Sequence, residues 1–210
     1  MGEIEYRVHT GQTIDDRLGV PLISTALEAA VESFMNLNVK YKTYNEQVLK
    51  AFFERYTPKK IKVTDESQKT DQSETKEVLQ LPFDSSLVAV VAYEGKELVG
   101  TGFLAKGKFI QRSKRTPSRF TESEHDAFLY GFHVEPKYEA RGVGREFLRK
   151  ITRVAKNNGI GRIQTIIPNF PETVKYYQTL GFGNIQDIEF REKNSQLILK
   201  ELQLVLSQSN

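Results

Sequence analysis

The apolar positions of this chain change period several times, and each change marks an element. Residues 3–8, EIEYRV, alternate and predict a first strand. From Pro21, a residue suited to the first turn of a helix, Ile23, Leu27, Val31 and Phe34 recur at helical spacing. Thr43 followed by Glu46 is a capping-box pattern, and Val48, Phe52 and Tyr56 then share a face, which predicts a second helix. After a polar stretch the period falls to two. Residues 86–95 and 96–107 are rich in Val and Leu and meet at Gly95, so they predict a hairpin. AFLYGFHVEP, 127–136, predicts another strand with Phe128, Tyr130, Phe132 and Val134 on one face, ended by Pro136. Val143, Phe147, Ile151 and Val154 return to helical spacing over 143–157, which Asn158 and Gly159 stop. A buried strand at 162–170, a short helix at 171–182 and a final pair at 185–190 and 197–206 complete the order β-α-α-β-β-β-α-β-α-β-β. Such an order predicts an α/β (α+β) fold around a largely antiparallel sheet.

Composition changes this picture little. The 210 residues suit one domain over 1–210. The chain has no cysteine, which removes disulfides, thiolate nucleophiles and Cys-ligated zinc. The first residues lack the apolar core of a signal peptide and no apolar run is long enough to span a bilayer, so a cytoplasmic location without membrane contact is expected. A net charge of +3 is too mild to imply nucleic acid. Its distribution is uneven, however. Residues 64–76 have no apolar side chain, and the wider 58–82 segment is expected to be a polar mobile loop. Residues 106–119 carry six basic residues and no acid, within a basic loop insertion expected at 106–126. That run suits a solvated loop or a wall that attracts an anion.

The chemistry concentrates in EARGVGREFLRK, 139–150. The helix over 143–157 starts without Ser, Thr, Asp or Asn at its N-cap, and Arg141 and Arg145 oppose its dipole. A bound anion would turn both features from unfavourable to favourable. The first N–H groups of a helix attract phosphate, and Gly142 and Gly144 let it approach the backbone. Two glycines equally suit a tight strand–helix turn. Neither GxxxxGK[ST] nor GxGxxG is present, so a P-loop and a dinucleotide fingerprint are excluded.

The longer string VEPKYEARGVGREFL, 134–148, resembles the acetyl-CoA-binding motif of the GCN5-related N-acetyltransferase (GNAT) superfamily, in which Val-x-Pro ends a strand and Gln/Arg-x-x-Gly-x-Gly/Ala opens a helix. Val134, Pro136, Gly142 and Gly144 match. Glu139 departs from the Gln/Arg position, and Arg141 stands where Lys or Arg is usual. TVKYYQTLGF, 173–182, is similar to the family's later helix through Tyr177, Gly181 and Phe182. The resemblance implies the GNAT fold, a mixed and mostly antiparallel sheet of about seven strands flanked by about four helices. It also implies acetyl-CoA as co-substrate and no metal. Phe132, His133, Val134, Glu139, Arg141, Gly142, Val143, Gly144, Arg145, Asn169 and Tyr177 fall on the family's CoA-contacting positions, Asn169 one residue off the usual spacing.

Acyl transfer from a thioester to an amine needs a neutral amine, an oriented N–H for the developing oxyanion and a proton for the thiolate. The resemblance gives the last role to Tyr177 and places Tyr130 toward the acceptor; the N–H is expected on 132–134. His133, Glu122, Glu124, His125, Asp126 and Glu135 are weaker candidates for the base, each with a structural alternative. The expected acceptor is a small-molecule or peptide amine. Two other readings keep part of the pattern: a non-catalytic module that binds CoA or a partner, and a nucleic-acid-modifying protein using 106–119. Nucleic acid is the less favoured partner, and a homodimer is compatible with the sequence.

Overall fold

The computed structural model describes residues 2–10, 28–56, 59–64, 75–80, 83–109, 125–192 and 195–206. In chain order these form β1 (Ile4–Thr10), a helix over 28–41 (α1), α2 (Glu46–Tyr56), β2 (Lys59–Thr64), β3 (Thr75–Gln80), β4 (Phe83–Glu94), β5 (Glu97–Phe109), β6 (Asp126–Val134), a 3-10 turn (Pro136–Tyr138), α3 (Val143–Asn157), β7 (Arg162–Pro168), α4 (Pro171–Thr179), β8 (Gly183–Glu192) and β9 (Ser195–Val205). Seven strands make one sheet in the order β1-β4-β5-β6-β7-β9-β8. Every neighbouring pair in it is antiparallel except β6 and β7.

Apolar cores cover both faces of the sheet. On one face Val143, Phe147 and Ile151 of α3 pack on Val90, Leu104, Leu129 and Ile163, with Tyr177 and Phe182 from the α4 end. Phe147 is fully buried; truncating a Phe so placed costs about 3–5 kcal/mol. The inward stripe of α3 differs slightly from the expected one. Ala155 is fully buried and Val154 only partly, because 3.6 residues per turn carries the stripe past position 154. Gly159, at φ +72°, ends the helix in the left-handed conformation. On the other face Val48, Leu49 and Phe52 of α2 pack on Phe190, Leu197 and Leu199. The corner between α1 and α2 is tied to the start of α4. Lys40 pairs with Glu172 at 2.7 Å, Tyr41 and Tyr44 both lie against Phe170, and the Tyr44 hydroxyl donates to the Ile198 carbonyl at 2.8 Å.

Three expectations need correction. The 58–82 stretch, expected as a mobile loop, contains β2 and β3, paired antiparallel from Lys59↔Gln80 to Thr64↔Thr75. Its polar composition hides a two-residue alternation, in which Ile61 and Val63 interleave with lysines. The first residues of the expected 106–126 loop continue β5 to Phe109; 110–124 lie outside the described residues. Finally, the face shared by Phe128, Tyr130, Phe132 and Val134 does not exist. Gly131, at φ +55°, inserts an extra residue into β6, and the register against β5 slips between Thr101↔His133 and Phe103↔Tyr130. Tyr130 therefore stacks on Phe103, while Phe132 and Val134 join Leu129 in the α3-side core. One bulged residue inverts the parity of everything after it.

Candidate functional site

The parallel pair β6–β7 sets the site. It is paired only at Asp126↔Arg162, Ala127↔Ile163 and Phe128↔Gln164, after which the two strands part. Arg162 anchors the closed end by donating to Asp126 with both ends of its guanidinium, at 2.9 Å through Nε. Where the strands part, the Thr165 hydroxyl donates to the Leu129 carbonyl at 3.0 Å. Beyond that point β6 pairs only with β5, and β7 only with β9. The result is a fork through the middle of the sheet, with α3 and α4 on one face and α1 and α2 on the other.

At the open end of the fork the chain turns into α3. Gly142 is the N-cap at φ +78°, with no side-chain cap, and Ala140 is also left-handed at φ +63°. A non-glycine residue is uncommon there, which marks the turn as held by its surroundings. What holds it is a pair of acids from the β4–β5 hairpin, Glu94 and Glu97. The buried Tyr138 donates to Glu94 at 2.8 Å, Arg141 donates to Glu94 at 3.3 Å, and the Arg141 guanidinium lies 4.9 Å from the Tyr138 ring centre. Lys137 pairs with Glu97 beside them. The hydrogen bond to Glu94, then burial, pushes the Tyr138 hydroxyl up to about 12; the same bond, opposed by burial, holds the Glu94 carboxyl below its ordinary range. Nothing lies within 4 Å of where a Cβ would stand on Gly142, so the backbone there is open to approach. The first N–H groups of α3 have no partner within the helix, as at any helix start.

Gly144 is different. A Cβ there would meet the Tyr176 hydroxyl at 1.7 Å. Tyr176 thus projects from α4 onto the first turn of α3, beside Phe132, its ring 6.5 Å from that ring. Burial raises its hydroxyl pKa, with Glu139 adding to the effect. Sequence reasoning passed over Tyr176 because its neighbour carries the motif; the requirement for glycine at 144 was the available signal.

Tyr177 lies deeper. It is buried against Phe132 and Phe182, at 5.9 and 5.3 Å between ring centres, and its hydroxyl interacts with Thr165 at the fork. Burial drives its pKa well above the ordinary phenol value, so it holds its proton through the neutral range. Tyr177, Thr165 and Phe132 converge from three elements on one place. Val134 and Val143 belong to the same core as Phe132 and Tyr177, whereas the exposed Arg145 lies beside Leu148, Arg149 and the end of α4 and makes no ion pair among the described residues.

The remaining candidates are scattered. His133 faces away from Phe132 and shares a 3.3 Å hydrogen bond with Glu135, its side chain only 9% exposed. Tyr130 is the exception: it stacks on Phe103 and lines the cavity on the α1–α2 face together with Tyr177. Asn169 uses its backbone N–H to donate to the Tyr44 hydroxyl at 2.6 Å. Asp126 belongs to the Arg162 pair, and His125 Nδ1 contacts the Gly159 carbonyl oxygen at 3.0 Å, both at the closed end. Glu139 is exposed. Glu122 and Glu124 lie outside the described residues. Among the described residues no group of three acidic, His or Cys side chains is arranged to hold a metal, and no helix is long and apolar enough to cross a membrane.

On the α1–α2 face the fork opens into a cavity of about 80 Å³. Val31 and Phe34 of α1, Phe53 of α2, Phe128 of β6, Ile166 of β7 and the Tyr177 ring are among its walls.

Comparison with known proteins agrees with this architecture. Residues 45–182 match the model of the Acetyltransferase (GNAT) family. A structure from Acinetobacter baylyi, classed as an acetyltransferase, is 13% identical over 99% of this chain and 96% of its own, with a TM-score of 0.53. One from Desulfovibrio desulfuricans, classed as a GNAT-family acetyltransferase, is 12% identical over 97% and 99%, at a TM-score of 0.50. One from Staphylococcus epidermidis, also classed as an acetyltransferase, is 16% identical over 98% and 100%, again at 0.50. No curated protein matches the sequence.

Proposed function

The chain belongs to the GNAT acetyltransferase family, and we propose that it transfers an acetyl group from acetyl-CoA to the nitrogen of an amine. The observation that carries this reading is the fork with an uncapped helix start at its mouth and a protonated Tyr177 at its base. The backbone at Gly142, Val143, Gly144 and Arg145 fits the pyrophosphate: it offers N–H donors and open space at Gly142. Arg145 adds a cation with no ion-pair partner among the described residues, whereas Arg141 serves mainly to hold the turn through Glu94. The unpaired edges of β6 and β7 suit an extended, amide-containing arm lying between them, as a missing strand would. Acetyl-CoA supplies the activated acyl group.

In the transfer, a C–N bond forms as the C–S bond breaks. Main-chain N–H groups over 132–134 that face the fork would stabilise charge on the carbonyl oxygen. Tyr177 would give its Oη proton to the departing sulfur; the hydroxyl carries that proton at neutral pH, as the role requires. The proton from the amine leaves to water, since no described carboxylate or imidazole borders the cavity. Titration calorimetry tests the reading with acetyl-CoA, CoA and dephospho-CoA. Saturable binding of acetyl-CoA and CoA is expected, and no heat with either at millimolar ligand would sink it. Tight CoA binding with no thiol release against a broad amine panel would favour a non-catalytic module.

A further inference from the structure

The cavity on the α1–α2 face names a class of acceptor, and this inference rests on the transferase reading above. Its position is the first point. Tyr177, Thr165, Gly131 and Phe132 line it, so it is continuous with the fork on the side away from α3. A group held there has its reactive end at Tyr177. The second point is its wall. Phe34 and Phe53 stack at 5.5 Å with an interplanar angle of 14°, and Phe52 meets Phe53 edge-on at 5.3 Å. Phe34, Phe53, Phe128 and Ile166 are all half-buried at positions between helices and sheet, where the cavity removes their neighbours. Aromatic edges and faces arranged this way favour another ring. Dry apolar cavities of roughly 150 Å³ take benzene; this one, at about 80 Å³, is smaller, so a ring held there would reach partly into the fork.

Charge is the third point. No described lining residue is ionisable in the neutral range. Among the described residues, the polar side chains of the lining are the hydroxyls of Tyr130, Thr165 and Tyr177. An ammonium ion entering would lose its hydration with no carboxylate among the described lining residues to replace it. A polyamine or a lysine side chain would have to shed its proton first, with no described base to take it. An arylamine arrives neutral, because its lone pair is delocalised into the ring. We propose that the acceptor is an aromatic amine whose nitrogen is uncharged at neutral pH, its ring between Phe34, Phe53 and Phe128 and its nitrogen toward Tyr177.

The test compares acetyl transfer to 4-methoxyaniline, cyclohexylmethylamine and spermidine, read as thiol release and confirmed by mass of the amide. The arylamine is expected to lead in kcat/KM by at least about tenfold. Equal or faster transfer to either alkylamine overturns the proposal, and so does faster release from hexanoyl-CoA than from acetyl-CoA, which would assign the cavity to the acyl chain. A second arm uses Val31→Trp, which fills the cavity from α1. The KM for 4-methoxyaniline should rise about tenfold while CoA affinity by calorimetry stays within about twofold. An unchanged KM overturns the proposal. The calorimetry also separates the two levels: CoA binding without preference for the arylamine sinks this inference alone, whereas no CoA binding sinks the parent reading.

Discussion

The two mouths of the fork are built from different materials. On the α3 side the surface proposed for phosphate is backbone. Val143, Gly144 and Arg145 are consecutive, their N–H groups point outward because a helix begins there, and Glu94 of the β4–β5 hairpin fixes the turn through Tyr138 and Arg141. On the α1–α2 side the surface is side chain alone. Val31, Phe53, Phe128 and Ile166 come from four elements and meet only when the sheet is complete. A backbone surface recognises a constant group such as phosphate. A side-chain surface can be rewritten by single substitutions without disturbing the first. One half of such a fold can therefore keep its ligand while the other changes.

Substitutions should separate the halves. Gly142→Asp puts a carboxylate at the mouth on the α3 side and a strained side chain at φ +78°. CoA affinity should fall about a thousandfold, the equivalent of ~4 kcal/mol, with the circular dichroism spectrum retained. Surviving affinity would move the phosphate site elsewhere. Tyr177→Phe, at the junction, should lower kcat about a hundredfold and leave CoA affinity within a few-fold. If both fall together, Tyr177 packs rather than donates. Glu94→Gln touches neither ligand and loosens the turn through Tyr138 and Arg141. About fivefold weaker CoA binding is expected, with the arylamine KM unmoved.

The smallest effect is a matter of pH. Tyr138 titrates near 12 when folded and near 10 when unfolded. Between those values the unfolded chain loses the proton while the folded protein keeps it. Stability from this group is whole below about pH 10 and is lost as pH rises toward about 12. Thermal melts from about pH 9 to about 11.5 should show a wild-type advantage over Tyr138→Phe that shrinks across the window. A constant difference would mean that the Tyr138–Glu94 bond is not formed in solution.

The same contrast explains what the sequence disclosed. The turn at 139–145 was legible because it is built from consecutive residues, with Gly142 left-handed at φ +78° and Gly144 leaving no room for a Cβ beneath the Tyr176 hydroxyl. The succession of the sheet's seven strands along the chain was legible from periodicity. The cavity was not, since no local pattern says that Phe34 will meet Phe53 and Phe128 across a fork. The face of Tyr130 was misread for a sharper reason. Alternation assumes an unbroken ladder, and Gly131 breaks it at the position the assignment depended on. A glycine amid aromatic and β-branched neighbours was the clue. The β2–β3 pair was missed because Lys59, Lys60 and Lys62 around Ile61 and Val63 resemble a loop until a partner strand is found.

The fork itself has a cost for the empty protein. Two strands that part after three paired residues leave an internal sheet edge, with main-chain groups that must find water or a substitute. Whatever lies between them completes the hydrogen bonding and binds only the folded chain. Stability and occupancy then become one variable: at about a hundred times its dissociation constant a ligand adds about 2.7 kcal/mol. A rise in melting temperature would report loading without any measurement of turnover, and in a cell the survival time of this protein would follow the supply of the ligand that fills the fork.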